Sequence, residues 1–397
     1  MSKINAIPDV QVGQLRKVAD ATANLTLQTN NTNAVIVDAS QNANFVSTGS
    51  VNIPSGTTAQ RPASPVNGMI RYNTEYNGVL EGYINGSWTA IVGQYAYSYN
   101  ASVLIVAGAG GGGTDAYASN GQGAGGGAGG VLASSTITFN SSNTVTITLG
   151  AGGTSTTDGT YGPGSNTTFV VNGTTYTAFG GGGGGGAQST YGQNGQSGGS
   201  GGGASQDNGY GGAHSGGSAT QTTQSPFTGY GYAGGNSGTP YNFYSQTSGG
   251  GGAGAAGGVA GTGGVGAAGG IGIVNPVSGS TTGQLSGGSY YVAGGGGGGG
   301  QFGSNGGGTG GGGTGAASGQ GTNGTVNTGG GGGGGGQTGS AGNPPFSGQG
   351  GTGGSGVVVI SVPTSRYTAN YTGSNVVVTT SGSNTIMAFN SSGTYTI

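Results

Sequence analysis

The only histidine in this sequence, His214, is the residue best suited to acid–base chemistry near neutral pH. Catalysis of the Ser/His/Asp kind needs a serine, a histidine and a carboxylate to converge, and the nearest acid along the chain is Asp207. Glycine and serine adjoin His214, and no pattern brings the three groups together. The sequence therefore favours a histidine in a surface loop over a catalytic one.

Other catalytic patterns are also weak. Glycan hydrolysis would require two carboxylates, such as Asp115 and Asp158, to meet, and the long β-helical pattern usual in depolymerising fibres is missing. Matches to GxGxxG arise by chance in so glycine-rich a chain, and none lies in a βαβ unit. The last lysine is Lys17, so a Walker phosphate loop is excluded, and no cluster of residues offers metal ligands. We predict no enzymatic activity, no cofactor and no metal.

Charge is scarce and unevenly placed. Charged residues make up 4% of the chain, the net charge is −2, and most of the basic residues precede residue 72. Nucleic acid is therefore excluded as a partner, because that affinity comes largely from phosphate neutralisation. Hydrophobic residues are 31% of the chain, below the roughly 45–50% of a usual domain, a count that includes glycine. This composition predicts that there is no large apolar core.

Glycine dominates the middle of the chain. Most of the 107 glycines lie between Gly108 and Gly356, and from Ala253 to Ile271 the larger residues recur at every third position. A period of three fits neither an α-helix nor a strand, but it is the period of the polyproline II conformation, which glycine also adopts. Such helices make no internal hydrogen bonds, so their backbone groups must bond to neighbouring chains. We interpret the region as laterally packed polyglycine II helices.

The alternative is that this region is a disordered glycine-rich linker. Three long glycine runs, 180–186, 294–300 and 329–336, alternate with segments that carry Tyr, Phe and Val, which a solvated linker would not need. Strand patterns also flank and interrupt the region, at 102–107, 135–149, 167–178 and 356–362. These features favour the ordered interpretation.

The composition shifts divide the chain into four parts. Residues 1–53 form an Asn/Thr-rich stalk or attachment segment with a short helix near 10–21 and a strand at 34–37. Residues 54–94 form a small β-meander, with strands at 69–73, 81–84 and 87–89 and turns at Asn77-Gly78 and Asn85-Gly86. Residues 95–363 form the glycine-rich domain, and residues 364–397 form C-terminal strands that close the sheet of 102–107 and 357–362 or pair between subunits. The predicted fold class is mainly β and irregular, with very little α-helix.

Three stretches carry a resemblance to tailed-phage fibre and appendage proteins. Residues 53–91 (IPSGTTAQRPASPVNGMIRYNTEYNGVLEGYINGSWTAI) resemble a short β module of such fibres, and residues 21–45 are similar to the stalk repeats that precede it. The central block, opening with SVLIVAGAGGGG and closing with GGSGVVVISV, resembles the glycine-rich domain of T-even-type tail fibre adhesins. The resemblance implies a polyglycine II sandwich whose connecting loops contact a host receptor. The amino end and residues 364–397 depart from that family, which leaves the attachment point and the oligomeric state open.

Aromatic residues lie in polar segments between the glycine runs. Loops on a rigid scaffold are where binding tends to reside, and tyrosine offers a large contact area with a polar tip. The alternative is that the same aromatics cover the glycine layer or pack against a subunit. The segments are 206–214, 221–244, 275–291, 301–305 and 337–347 with the position of Tyr191, and the receptor-binding candidates are Tyr191, Tyr210, Phe227, Tyr230, Tyr232, Tyr241, Phe243, Tyr244, Phe302 and Phe346.

We expect a phage virion fibre or adhesin that recognises a host surface glycan or outer-membrane protein. Residues 1–53 are expected to join other virion tail or fibre proteins, and a homo-oligomer is expected, with a trimer favoured. The start of the sequence lacks the apolar stretch of a signal peptide, so we expect synthesis in the host cytoplasm and release within the virion. The alternatives are a structural capsid or tail decoration fibre without a receptor role and, more remotely, an ice-binding surface.

Overall fold

A computed structural model places the chain in two compact units, Met1–Tyr95 and Ala96–Ile397. The residues that it describes are 25–29, 32–37, 42–45, 50–75, 78–91, 98–114, 122–155, 162–187, 191–206, 212–238, 246–261, 263–336 and 348–397. The expected helix near 10–21 lies outside them. The described residues are in strands and extended segments with only two short 3-10 turns, so the prediction of a mainly β chain with very little helix is confirmed.

Unit 1 contains two small sheets. One has the order β1-β2-β3 and is antiparallel, while in the other β4 joins β5 in parallel and β5, β6 and β7 form an antiparallel meander. The strands of unit 1 are β1 (Leu25–Thr29), β2 (Thr32–Val37), β3 (Ala43–Phe45), β4 (Ser55–Gly56), β5 (Ile70–Asn73), β6 (Val79–Ile84) and β7 (Ser87–Ala90), with a 3-10 turn at Thr58–Gln60.

The predicted meander is confirmed. Asn85 and Gly86 have φ angles of 50° and 81° and connect β6 to β7 by a two-residue turn, as the Asn-Gly signal predicts. Asn77 lies outside the described residues, so the first predicted turn is not described. The hairpin of β6 and β7 therefore has the turn that the sequence predicted.

Unit 2 contains two larger sheets and one small one. Their orders are β12-β11-β10-β21-β18, β13-β9-β8-β17-β20-β19 and β14-β16-β15. The strands of unit 2 are β8 (Ser98–Val106), β9 (Val131–Asn140), β10 (Thr144–Thr148), β11 (Thr167–Val171), β12 (Thr174–Ala178), β13 (Thr228–Tyr230), β14 (Ile273–Val274), β15 (Gln284–Ser286), β16 (Ser289–Val292), β17 (Val357–Pro363), β18 (Tyr371–Thr372), β19 (Val376–Ser381), β20 (Asn384–Phe389) and β21 (Gly393–Thr396), with a 3-10 turn at Thr364–Arg366.

The C-terminal strands complete both large sheets. Strand β20 pairs with β17, which pairs in turn with β8, so the prediction that the C-terminal strands close the sheet of 102–107 and 357–362 is confirmed. Strand β21 extends the other sheet by pairing with β10. Residues 364–397 are therefore an integral part of the unit that holds the glycine-rich region.

An apolar core lies between the two large sheets, contrary to the expectation from composition. It includes Phe139, Phe169, Tyr395, Met387 and Phe389, all fully buried. A second cluster, with Leu104, Val359 and Ile386, lies on the other face of the six-stranded sheet and reaches Ala128 and Ala253 of the glycine region. The expectation was wrong because the apolar residues are concentrated in the strands. Residues 103–106 of β8 and 357–362 of β17 are buried on both faces, as their continuous apolar runs require.

The glycine segments show a three-residue hydrogen-bond period. Successive N–H groups of one segment donate to three different neighbours, and the fourth returns to the first. In 108–113 the bonds are Gly110 to Gly127 and Gly113 to Ala124, Gly108 to Ser165 and Gly111 to Gly162, and Ala109 to Gly354 and Gly112 to Gly351. The carbonyl groups of the same segment accept from three further neighbours, at Gly153, Gly181 and Gly332. Segment 108–113 thus has six neighbours around it, and we call the whole array of such segments the glycine bundle.

The bundle requires glycine at the points where segments touch. A Cβ built on Gly126 would overlap the carbonyl oxygen of Gly110, and one on Gly112 would overlap that of Gly333. In 253–271 the bulkiest residues lie at every third position, where the side chain faces outward. Val259, Val265 and Ile271 are exposed at such positions, so the predicted period of three from 253 to 271 is confirmed, although Ala253 at its start is buried.

Candidate functional site

The glycine bundle has two ends with different connections. At one end, which we call the sheet end, Ala107, Gly130 and Gly356 continue directly into or out of β8, β9 and β17. At the other end, which we call the loop end, the described segments stop at residues several of which bond to one another through backbone or side-chain groups. The loop-end residues are Thr114, Gln122, Ser155, Ala187, Gln206, Gln246, Gly300, Gly319 and Gly336.

Hydrogen bonds fix these residues at one level of the bundle. The N–H of Ala187 donates to the Thr114 carbonyl oxygen (3.1 Å), and the Thr114 hydroxyl contacts that of Ser155 (2.7 Å). The N–H of Gly336 donates to the Gly319 carbonyl oxygen (2.9 Å). At the loop end, the described segments stop on both sides of a set of connections. These connections are 115–121, 156–161, 188–190, 207–211, 239–245, 262, 301–303, 318 and 337–347. The topology thus collects the connections away from the sheets at a single end.

At the periphery of the bundle, side-chain amide oxygens accept hydrogen bonds from backbone N–H groups that have no glycine segment beside them. Asn166 Oδ1 accepts from the Gly180 N–H (2.8 Å), Asn236 Oδ1 from the Gly216 N–H (2.9 Å), and Asn323 Oδ1 from the Thr352 N–H (2.9 Å). Outer segments lack a full set of glycine neighbours, and an unpaired backbone N–H is costly when shielded from water. These asparagines therefore hold outer segments of the bundle in place.

Two of the candidate aromatics lie at the loop end and face solvent. Tyr191, just after 188–190, is 67% exposed, and Phe302, just after 294–300, is 61% exposed. The Phe302 ring lies against Gly264, because a Cβ on that glycine would contact Phe302 Cδ2 at 2.5 Å. Phe302 is therefore an exposed ring with a backbone support behind it, as a contact residue requires.

Phe227 is a correction to the predicted receptor surface. Its side chain is fully buried in the core between the large sheets, with ring-centroid distances of 4.7 Å to Tyr176 and 6.2 Å to Phe169. The physical reason is the neighbouring strand β13, which pairs with β9 and fixes Phe227 over the apolar face of the sheets. Phe227 supports the fold and does not face a receptor.

Tyr230 and Tyr232 lie at the sheet end, away from the loop end. Tyr230 is in β13, opposite Val131, and packs half-buried against the second apolar cluster. Tyr232 is 47% exposed, and its N–H donates to the Gly252 carbonyl oxygen (3.1 Å). The structure therefore does not bring these two tyrosines together with Tyr191 and Phe302. The segment 275–291, expected to be a loop, contains β15 and most of β16, and β16 pairs with both β15 and β14.

The remaining aromatic candidates lie outside the described residues, in connections that begin and end at the loop end. They are Tyr210, Tyr241, Phe243, Tyr244 and Phe346. The carboxylates considered for chemistry, Asp115, Asp158 and Asp207, also lie outside them. The placement of all these side chains stays a prediction.

His214 lies on a glycine segment whose backbone is held by Ser237. The His214 N–H donates to Ser237 Oγ (2.7 Å), and the Ser237 N–H donates to the His214 carbonyl oxygen (2.9 Å). In the part of the chain that the structure describes, no three His, Cys, Asp or Glu residues lie close enough to hold a metal ion. That same part contains no helix with the length and apolarity to cross a membrane.

The charged residues of unit 1 are used within its β-meander. Glu81, on β6, pairs with Arg61 (2.6 Å) and with Arg71 (3.4 Å), its direct neighbour on β5, and accepts from Asn73 (3.3 Å). The hydrogen bond from Arg61 holds the pKa of the Glu81 carboxyl below its ordinary value, and bonds from Thr58 do the same for the pKa of Glu75. This cluster stabilises the meander from within, so it is not an open charged surface.

Sequence reasoning missed a set of glutamines at the loop end. Gln122, Gln206 and Gln246 are buried there, and Gln246 N–H donates to Gln206 Oε1 (3.1 Å). The available signal was their position: each of them stands directly beside or near a glycine run. Glycine segments of the bundle have little space for side chains. A large polar residue beside a glycine run therefore marks the end of a segment, where a connection begins.

Comparisons with protein-family models and with curated proteins gave no match to this chain.

Proposed function

We propose that this chain is a tailed-phage fibre or appendage protein of the virion, acting as an adhesin by binding rather than by catalysis. The loop end contacts a host surface glycan or outer-membrane protein. The observation that carries the proposal is the topology of the glycine bundle. Its sheet end is covered by two sheets, while its connections away from the sheets, which include five of the candidate aromatics, start and stop at the other end.

The rigidity of the bundle supports the same function. A binding surface made of connections needs fixed ends, because ordering mobile loops on binding costs conformational entropy. The connections at the loop end are anchored on segments whose successive N–H groups bond to neighbouring segments, and Tyr191 and Phe302 stand exposed beside them. We further propose attachment to other virion proteins through residues 1–53 and assembly as a homo-oligomer, with a trimer favoured.

The test is an exchange of connection 239–245 for a glycine-serine linker of equal length in the phage that carries the protein. This connection contains Tyr241, Phe243 and Tyr244. Removal of the whole range 221–244 is unsuitable, because Phe227 and the Gln224 side chain belong to the framework. We expect assembled particles with host adsorption reduced at least tenfold.

The matched control alters the tight turn between β15 and β16 at the sheet end. Gly287 and Gly288 have positive φ, and a Cβ at either would meet nothing within 4 Å, so Asn-Gly in their place is tolerated. This variant should adsorb like the wild type. Unchanged adsorption after exchange of both 239–245 and 337–347 would instead favour a structural decoration fibre, and immunogold labelling on the capsid would do the same.

A further inference from the structure

One edge of the six-stranded sheet is open. Strand β19 is the last strand of that sheet and, among the described strands, pairs with β20 alone. None of its six residues is buried, and Val377 is 49% exposed. It contains no charged residue, no proline and no register shift, which are devices that keep a sheet edge from pairing with another chain. Strand β19 is therefore an accessible template for a further strand.

The other edges of the two large sheets are short or covered. Strands β13 and β18 have three and two residues. On β12, the Gln224 side chain bonds to both the N–H and the carbonyl oxygen of Thr177. Within the described part of the chain, β19 is thus the one long edge of these sheets without a cover.

The turn after β19 shows which backbone groups point away from β20. It has two residues, and the residues that flank such a turn, here Ser381 and Asn384, are hydrogen-bonded to each other. Bonded and outward residues alternate along the strand, and the bond from the Asn390 N–H to the Asn375 carbonyl oxygen has the same phase. The outward residues, whose N–H and C=O groups point away from β20, are Val376, Val378 and Thr380.

We propose that β19 pairs antiparallel with β19 of a second copy of this chain. An open backbone edge is completed by another extended backbone, and two identical strands related by a two-fold axis offer each other the same groups. Only the register centred on Val378 lets all three outward residues of each strand bond, because they lie symmetrically about it. Val377 then lies opposite Thr379 of the second copy. All the paired side chains are β-branched and uncharged, which suits cross-strand packing.

The glycine bundle leaves space beside β19 for the side chains of an added strand. Val377 and Thr379 line a cavity of about 300 Å³ together with Ile386 and Ala388 of β20. Val326, which also lines this cavity, is 67% exposed. No packed segment therefore stands on this face where the second copy would place its own Val377 and Thr379.

This inference rests on the homo-oligomer named in the proposed function and specifies one contact within it. The contact is two-fold, so it joins chains in pairs. A trimer needs a separate contact, for which residues 1–53 are available.

Disulfide cross-linking tests the contact and its register, because the chain has no cysteine of its own. Val377→Cys and Thr379→Cys are prepared as separate full-length chains, one with a longer tag, and are mixed under mild oxidation. Residues opposite each other in a non-hydrogen-bonded pair have Cα atoms about 4.5 Å apart, which a disulfide spans. Two copies of the same variant hold their cysteines about 7–8 Å apart, which is too far. We expect the mixture to form disulfide-linked dimer at least tenfold faster than either variant alone.

Thr380→Pro, introduced into both cysteine variants, is the test of the backbone bonds. It removes an outward N–H and no bond to β20, and proline is tolerated at such edge positions, so the fold is retained, as circular dichroism checks. We expect cross-linking to slow at least tenfold. Thr380→Val in the same chains is the matched control, because it keeps the N–H and the β-branched shape, and it should cross-link like its parent.

The proposal is overturned if the mixture forms no disulfide-linked dimer or if each variant alone reacts as fast as the mixture. Cross-linking that Thr380→Pro does not slow would also overturn it. None of these results changes the expected effect of exchanging 239–245 on adsorption, so failure of this contact is distinguishable from failure of the proposed adhesin.

Discussion

Single glycines in the bundle stand where no side chain has room. We expect Gly126→Ala to reduce the free energy of unfolding by about 3 kcal/mol, because its Cβ would overlap the Gly110 carbonyl oxygen and force two segments apart. Gly306→Ala is the control, since a Cβ there meets nothing within 4 Å. Chemical denaturation of both variants checks this. Equal losses in the two variants would mean that close packing of segments is not what glycine provides.

Glu81 gives the β-meander of unit 1 a defined pH dependence. Its pKa in the folded protein lies below the ordinary value of 4.5, mainly through the hydrogen bond from Arg61, so its stabilisation is present above about pH 4.5 and is lost as the pH falls further. Trp88, the only tryptophan, lies 5.7 Å from the Arg61 guanidinium and reports on this unit by fluorescence. We expect the thermal unfolding midpoint of unit 1 to decrease when the pH is lowered from 5 to 3.

The matched variant for this prediction is Glu81→Gln. It leaves the buried Arg71 without its partner carboxylate, so we expect a loss of about 3 kcal/mol at pH 7 and a weaker pH dependence. A midpoint that is the same at pH 3 and pH 7 in the wild type would contradict the assigned role of Glu81.

Aromatic residues show what single positions in the sequence can and cannot predict. Tyr191 and Phe302 are exposed, as expected for contact residues, but Phe227 is buried. All three stand in similar polar, glycine-rich surroundings. Exposure depends on which segment packs alongside, and in the case of Phe227 this is β13 against β9, a pairing that only the tertiary structure reveals.

At the scale of elements, the strands with alternating or continuous apolar patterns were predictable. Strand β17 lies close to the predicted range 356–362, and the range 167–178 is a hairpin whose turn is Asn172-Gly173. The three strands within 273–292 were missed because Gly, Ser and Thr separate short apolar stretches there. Two-residue and three-residue strands gain their stability from pairing, so their own sequences carry little signal.

The edge of the five-stranded sheet depends on one glutamine. Gln224 Oε1 accepts from the Thr177 N–H (3.0 Å) and Gln224 Nε2 donates to the Thr177 carbonyl oxygen (2.6 Å), so its side chain takes the place of a further strand beside β12. We expect Gln224→Met to cost about 2 kcal/mol, since the backbone groups of Thr177 lose both partners. Thermal denaturation would test this, and an unchanged midpoint would show that water satisfies the edge equally well.

At the scale of the whole molecule, the neighbours of each glycine segment could not be predicted. The three-residue period was readable from 253–271, but a glycine run has no side chains that select a partner. The arrangement is set by the strands that enter the bundle, such as β8 and β17, and by residues such as Asn166 and Thr247 that fix individual backbones. The same arrangement determines which connections meet at the loop end. The sequence could therefore predict that connections between glycine runs form the binding surface, but not which of them lie together.

Amide hydrogen exchange of the full chain tests whether the glycine segments form a rigid, laterally bonded bundle. We predict that 108–113, 123–130, 294–300 and 331–336 exchange as slowly as the buried strands β8 and β17, because each of their N–H groups is bonded to a neighbouring segment. Exchange of these glycines at the rate of an unstructured chain, with β8 and β17 protected, would contradict it.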